Sequence, residues 1–199
     1  MKIFLDSSDI AEINNFKTAG LLKGVTTNPK LVSNFAQVLE LNKLTDLKIS
    51  YQPKIQNLNE EIETIIKHKD NIILKIAPRF CDFCLVSELR KLGLEINLTL
   101  AFNLNQAVLA ANLGAKYVSI FVGRLEDDGY DPFAVIEQIR TIYDRNGIST
   151  EIIAASIRNV EHVRKSVLSG AHIITAKPSI IYELFEHELT TKGIIDFAK

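Results

Sequence analysis

At 199 residues, 47% apolar and 24% charged, the chain has the size and composition of one ordinary globular domain with a sizeable core. A formal net charge of −1, with acids and bases interspersed, excludes a basic stripe for nucleic acid and an acidic tail for a histone-like or metal partner. Apolar runs of only a few residues exclude a membrane span, and the opening MKIFLDSSD, strand-like and carrying an acid, is not expected to be a secretory leader.

Along the chain, strand-like and helical runs alternate. KIFLD (2–6) precedes SDIAEINNFKTAG, and LKGVTT (22–27) precedes PKLVSNFAQVLELNK, where Asn28 is expected to cap a helix that begins at Pro29. DLKISYQ (46–52) precedes NLNEEIETIIKHK, and NIILKIA (71–77) precedes CDFCLVSELRKLG. LEINLT (94–99) leads into NLNQAVLAANLG. KYVSIFV (116–122) leads into a polar loop and then a helix started by Asp131 and Pro132. TEIIAAS (150–156) precedes NVEHVRKSVLSG, and AHIITA (171–176) precedes a helix over PSIIYELFEHEL. Apolar spacing of three and four, as in Val135, Ile136, Ile139 and Ile142, marks the helical runs, and glycines at 93, 114, 147 and 170 fall at expected helix ends.

Eight such units without a linker predict one α/β domain over residues 1–199, a compact parallel (β/α)₈ TIM barrel. An open doubly wound sheet is the alternative that alternation permits. That architecture usually carries a glycine-rich phosphate loop, and neither G-x-G-x-x-G nor a Walker lysine occurs here.

Polar residues interrupt the strands towards their C-terminal ends: Asp6, Thr26 and Asn28, Gln52, Lys75, Asn97 and Thr99, and Ser156. In a closed barrel these ends share one rim, where such folds build their sites. Lys75 is the most informative. An ammonium in the apolar run NIILKIA loses hydration, its pKa falls from about 10.4, and the neutral amine becomes a nucleophile towards carbonyls. Asp6 is placed to pair with it or to move protons for it. The plainer reading is a structural lysine that snorkels from an edge strand or sits in a salt bridge.

The blocks FLDSSD, GVTTNP, ILKIAP, INLTLAF, VSIFVGR and IIAASIR, in this order, resemble the small transaldolase and fructose-6-phosphate aldolase family from residue 1 to about residue 195. The resemblance implies a (β/α)₈ barrel with a lysine Schiff base and no metal or cofactor. It makes Lys75 the Schiff-base lysine and Asp6 the acid that handles the C4 hydroxyl proton of a ketose. Asn28 and Asn97, with Thr26 beside them, would hold a dihydroxyacetone unit, and Thr99 would position the catalytic water. Arg124, Ser156 and Arg158 would bind phosphate, as a guanidinium fork suits.

Two positions divide the family. Gln52 stands where transaldolases carry a glutamate, as in fructose-6-phosphate aldolases, whereas Phe121 replaces the aldolases' tyrosine, as in transaldolases. The function implied is therefore a transaldolase of the pentose phosphate pathway acting on phosphorylated sugars. An aldolase releasing dihydroxyacetone and a weakly active sugar-phosphate-binding barrel are the alternatives. The resemblance also implies rings of five subunits, often paired into ten. A shorter second helix and a shortened C-terminus, read as lacking the helix that reaches a neighbouring subunit, weaken that expectation of a homo-oligomer.

Cys81 and Cys84 form a C-x-x-C, read as two reduced thiols in a cytoplasmic setting rather than half of a zinc site. His68, His162, His172 and His187 lack ligand spacing, and EDDGYD (126–131) lacks the length of a calcium loop, so it is read as a rim loop ending in the Asp131 cap.

Overall fold

The computed structural model describes residues 1–54 and 58–198, without the side chains of residues 59, 81 and 83. Its strands are β1 (Lys2–Asp6), β2 (Leu22–Thr26), β3 (Ile49–Tyr51), β4 (Ile72–Ile76), β5 (Glu95–Ala101), β6 (Tyr117–Phe121), β7 (Glu151–Ala155) and β8 (Ile173–Ala176). Each pairs in parallel with its neighbours in sequence, and β1 also pairs with β8, with Leu5 opposite Ala176. The sheet is a closed (β/α)₈ barrel, so the open doubly wound alternative is excluded.

The helices are α1 (Ile10–Thr18), α2 (Phe35–Thr45), α3 (Leu58–Lys67), α4 (Phe80–Lys91), α5 (Leu104–Asn112), α6 (Val122–Asp127), α7 (Pro132–Arg145), α8 (Val160–Leu168), α9 (Pro178–Glu183) and α10 (Glu188–Phe197). Asp9, Asn34, Asn103, Asp131 and Asn159 each accept a first-turn N–H with a side-chain oxygen, which satisfies donors the helix itself leaves orphaned.

Two apolar layers hold the barrel. Outward-facing strand residues such as Leu5, Leu74, Val118 and Ile152 pack with the helices, as in Ile13, Val86 and Ile139. Inside, Phe4, Ile73, Tyr117, Ile153 and Ile173 form a separate plug. The Phe4 and Tyr117 rings meet edge to face at 6.0 Å. Phe4 also lies over Gly24, where a Cβ would approach its ring to 2.8 Å, so the plug uses the space that glycine leaves. Side chains alternate along a strand, so the residue two positions beyond each plug member faces the same interior, one layer higher. Those residues are Asp6, Lys75, Ser119, Ala155 and Thr175. The plug is therefore the floor of the site.

Three expectations need correction. Asn28 does not cap a helix. Its Oδ1 accepts from Lys30 N–H at 2.9 Å and its carbonyl accepts from Leu31 and Val32, which closes one isolated turn. The second helix starts only at Phe35, capped by Asn34, while Gln37 Oε1 accepts from Ser33 N–H. The polar loop expected after β6 begins with α6. Gly129 ends that helix with φ +78°, and Tyr130 N–H reaches back to the Leu125 carbonyl, a Schellman closure. Finally, the segment after β8 is two helices. His187, whose Nδ1 accepts from Leu189 N–H, breaks the run expected as one helix over PSIIYELFEHEL and starts α10.

The Asp131 carboxylate accepts from Phe133 and Ala134 N–H at 2.9 and 3.1 Å. Its replacement by alanine should cost about 1 kcal/mol and lower Tm by about 2–4 °C in a thermal melt, whereas Asp131→Asn should restore most of it.

Candidate active site

At the C-terminal rim of the barrel lies a cavity of about 640 Å³. Of the residues singled out in the sequence, it is lined by Asp6, Thr26, Asn28, Gln52, Lys75, Phe121, Arg124, Ser156 and Arg158. They come from six strands or the segments that directly follow them, Arg124 from α6, and barrel closure brings them together.

Lys75 lies in a strand whose five residues are all buried, and it is itself 7% exposed. Its Nζ donates to the Thr27 carbonyl at 2.7 Å. Burial removes hydration from the ammonium and lowers its pKa to about 8, while the charge of Asp6 works in the opposite direction. Burial lifts the Asp6 carboxyl above its ordinary value, and the Lys75 charge, the Thr26 hydroxyl and the Lys177 charge oppose that lift. Amine and carboxylate thus moderate each other across the interior.

A second group orients Asp6. Thr26 Oγ1 donates to Asp6 Oδ1 at 3.2 Å and shares a 2.5 Å hydrogen bond with Thr175 Oγ1. Thr175 and Ser119 line the cavity but were not among the residues singled out in the sequence. The signal for both was present, a hydroxyl inside the strand runs IITA and YVSIF. Lys30 and Lys177, also lining the cavity, follow strand ends in loops, where a lysine carries no comparable signal.

Asn97 and Thr99 are fully buried but lie behind the cavity wall instead of on it. Asn97 Oδ1 accepts from Ser119 Oγ at 2.8 Å, so Ser119 presents the polar surface there. The Asn97 Nδ2 and Thr99 Oγ1 atoms have no hydrogen-bond partner among the described residues. Asn97 stands opposite Lys75 in the pairing of β4 with β5, and these two unsatisfied buried groups are a reserve of hydrogen-bonding capacity.

Backbone conformation shapes the other side. Leu100 and Ser156 line the cavity and both have φ +58°, a left-handed conformation that costs a side-chain-bearing residue energy. At Leu100 it coincides with an irregular register between β5 and β6. Arg124 is exposed and lies 5.1 Å over the Phe121 ring. Arg158 differs from expectation: both its terminal nitrogens donate to Asp127, 2.5 Å each. Its fork is already occupied by a carboxylate, and of the two guanidiniums that line the cavity Arg124 is the one with no ion pair among the described residues.

Among the described residues, no three His, Cys, Asp or Glu side chains are placed to hold a metal ion, and no helix is long and apolar enough to cross a membrane. Cys84 is an exposed free thiol, and the Cys81 side chain of the C-x-x-C lies outside the described residues. His162 is buried with Nε2 2.8 Å from Glu126, and His172 Nδ1 accepts from the Ile152 N–H while its Nε2 lies 3.0 Å from Arg140, so both serve packing and surface pairing.

The amine of Lys75 should titrate near pH 8. Its acylation by an amine-directed reagent, followed by peptide mass, should rise with pH through that value, because the neutral form grows as the proton leaves. Asp6→Asn removes the charge that favours the ammonium and should move the inflection to lower pH. An inflection at about 10, the ordinary lysine value, would contradict the burial argument.

Comparison with known proteins adds a family to this geometry. The family model described as Transaldolase/Fructose-6-phosphate aldolase matches residues 55–198. A protein named probable transaldolase from Bartonella tribocorum is 40% identical over 202 residues, covering 98% of this chain and 93% of that one. Another of the same name, from a Chelativorans species, is 38% identical over 205 residues, covering 99% and 94%. Among solved structures, a thiamine phosphate pyrophosphorylase from Pyrococcus furiosus superposes with a TM-score of 0.62 at 12% identity, covering 88% of this chain and 85% of that one, which speaks to the fold alone. With a buried lysine facing a carboxylate at the rim of a closed barrel, and relatives matching nearly end to end, the chain belongs to the transaldolase/fructose-6-phosphate aldolase family.

Proposed function

We propose that the protein is a transaldolase that works through a Schiff base on Lys75. The observation that carries this reading is the buried amine itself, with a pKa near 8 and a carboxylate across the interior. The neutral amine of Lys75 adds to the C2 carbonyl of a ketose phosphate, and loss of water gives the iminium. Asp6 takes the C4 hydroxyl proton as the C3–C4 bond breaks, and the bonding electrons move into the iminium to give an enamine of dihydroxyacetone. The aldose phosphate leaves. The enamine carbon then attacks a second aldose phosphate, Asp6 returns the proton, and water releases the new ketose.

Other residues support each stage. The Thr26 and Thr175 hydroxyls hold the Asp6 carboxylate in position. Asn28, and Asn97 from behind the wall, are assigned to the dihydroxyacetone hydroxyls, and Thr99 to the water. Arg124 and Ser156 are assigned to the phosphate, with Arg158 joining once it gives up Asp127. Substrates of this size fit the cavity, and sedoheptulose 7-phosphate or fructose 6-phosphate would serve as donors, with erythrose 4-phosphate or glyceraldehyde 3-phosphate as acceptors. The setting would be the pentose phosphate pathway in the cytoplasm. The expected homo-oligomer belongs to the same proposal. Exposed Leu189, Ile194, Ile195 and Phe197 on α10 are the surface a second copy would cover.

One observation favours a second reading. Gln52 lines the cavity, and a carboxamide there resembles the aldolases that release dihydroxyacetone from fructose 6-phosphate.

Incubation with fructose 6-phosphate followed by borohydride should add a reduced dihydroxyacetone or hexose phosphate to the Lys75 peptide, and Lys75→Ala should abolish it. Absence of the adduct in the wild-type protein would remove both enzyme readings. Turnover that requires erythrose 4-phosphate identifies a transaldolase, whereas glyceraldehyde 3-phosphate released without an acceptor identifies an aldolase. Gln52→Glu should raise the transaldolase rate by about 10-fold or more if position 52 manages water by general acid–base catalysis. An unchanged rate would show that it does not.

A further inference from the structure

Three side chains inside the barrel have hydrogen bonds with only one consistent direction. Asp6, Thr26 and Thr175 stand on β1, β2 and β8, which are neighbours in the closed sheet. Thr26 lies opposite Asp6 in the pairing of β1 with β2, and Thr175 lies opposite Phe4 in that of β1 with β8. All three line the cavity, and both hydroxyls are buried. A threonine hydroxyl has one proton to give, and an ionised carboxylate only accepts. Thr26 gives its proton to Asp6 Oδ1 at 3.2 Å. In the 2.5 Å contact between the two threonines the proton must then come from Thr175. The order of donors is Thr175 to Thr26 to Asp6.

Buried hydroxyls need partners in any protein, so a bond between two threonines could be packing and nothing more. Two features give this chain a use. A hydroxyl that accepts while it donates is polarised into a better donor, so Thr175 strengthens the bond from Thr26 to the carboxylate. That bond opposes the lift that burial gives the Asp6 carboxyl, and Thr175 works in the same sense from one residue further away. The second feature is occupancy. Oδ1 is taken by Thr26, whereas Oδ2 has no hydrogen bond among the described residues. Asp6 borders the cavity, and Oδ2 is the oxygen left there for an incoming proton.

We propose that Thr175 is a positioning residue for Asp6: its proton goes to Thr26, which commits the Thr26 proton to Oδ1 and leaves Oδ2 as the oxygen that takes and returns the substrate proton. The inference rests on the reading of Asp6 as the proton acceptor and deepens it, adding the oxygen used and a residue that acts through another. Neither threonine O–H bond breaks. The substrate proton resides on Oδ2 between cleavage and addition, then returns to the new hydroxyl.

Thr175→Val keeps the branched shape and removes the O–H, and Thr175→Ser keeps the O–H. The Asp6 carboxyl is followed by carbon-13 NMR in protein labelled at the aspartate carboxyl carbon, its resonance identified by its loss in Asp6→Asn. In Thr175→Val it should titrate about 0.3–0.5 of a pH unit above the wild type, because its ionised form has lost support. For transfer from fructose 6-phosphate to erythrose 4-phosphate, kcat should fall about fivefold with KM little changed, part of what a well-placed general base contributes. The acid limb of kcat should move to higher pH by the same amount as the titration, since Asp6 must be ionised to take the proton. Thr175→Ser should restore all three. Thr175→Ala also lacks the O–H and should move the titration in the same direction, so a valine variant that does not fold leaves the test standing. An Asp6 titration unmoved by loss of the hydroxyl would overturn the proposal and make Thr175 packing alone. A raised KM with kcat unchanged would overturn it in favour of a direct substrate contact. The NMR measurement needs no turnover. A shifted titration in a wild-type protein that turns over no sugar phosphate would therefore overturn the reading of Asp6 as proton acceptor, and the role of Oδ2 with it.

Discussion

The whole site depends on holding an amine inside a closed barrel. Lys75 has apolar neighbours before and after it in a fully buried strand, and desolvation is the largest influence on its pKa. An isolated ammonium there would be costly. The barrel offers two moderate compensations, the Thr27 carbonyl at 2.7 Å and the Asp6 charge, and they leave the amine titrating near neutrality. A tighter ion pair would have kept it protonated and inert. A wholly apolar pocket would have lowered its pKa further and made the protonated partner states of a proton-transfer cycle harder to reach.

The floor beneath the amine matters as much as the walls. Phe4, Ile73, Tyr117, Ile153 and Ile173 fill the barrel below the site, and each strand's two-residue repeat then lifts Asp6, Lys75, Ser119 and Thr175 into one polar layer. Plug and site are successive layers of one packing scheme. Polar groups in the second layer are tolerable because they bond to one another, Thr26 with Asp6 and Thr175, and Ser119 with Asn97. Those that do not, Asn97 Nδ2 and Thr99 Oγ1, lie immediately behind the wall of the cavity, where an incoming hydroxyl or water would meet them.

Much of this was legible in the chain because the relevant signals are local. Strand runs ending in Asp6, Thr26, Gln52 and Ser156 and helices started by Asp131 or ended by glycine depend on neighbours a few residues apart. Where the local signal was misread, competing local chemistry was responsible. Asn28 with Pro29 has the form of a helix start, yet its hydrogen bonds are satisfied within one turn and Asn34 takes over. EDDGYD has loop composition, although part of it is a helix that Gly129 terminates. The break at His187 was hidden by a helical pattern continuous across it.

By itself the sequence determined the order of eight strand–helix units and a lysine set in a strand where no charge is comfortable. Periodicity and hydration chemistry are properties of short segments, so they survive without coordinates. The tertiary structure alone decided which polar side chains share the cavity, that Asn97 stands behind Ser119, and that Arg158 is taken by Asp127. Those outcomes rest on contacts across the barrel between residues far apart in the chain, as in the bond joining Thr26 to Thr175, 149 positions away. Closure creates such contacts, and with them the burial that lowers the pKa of Lys75.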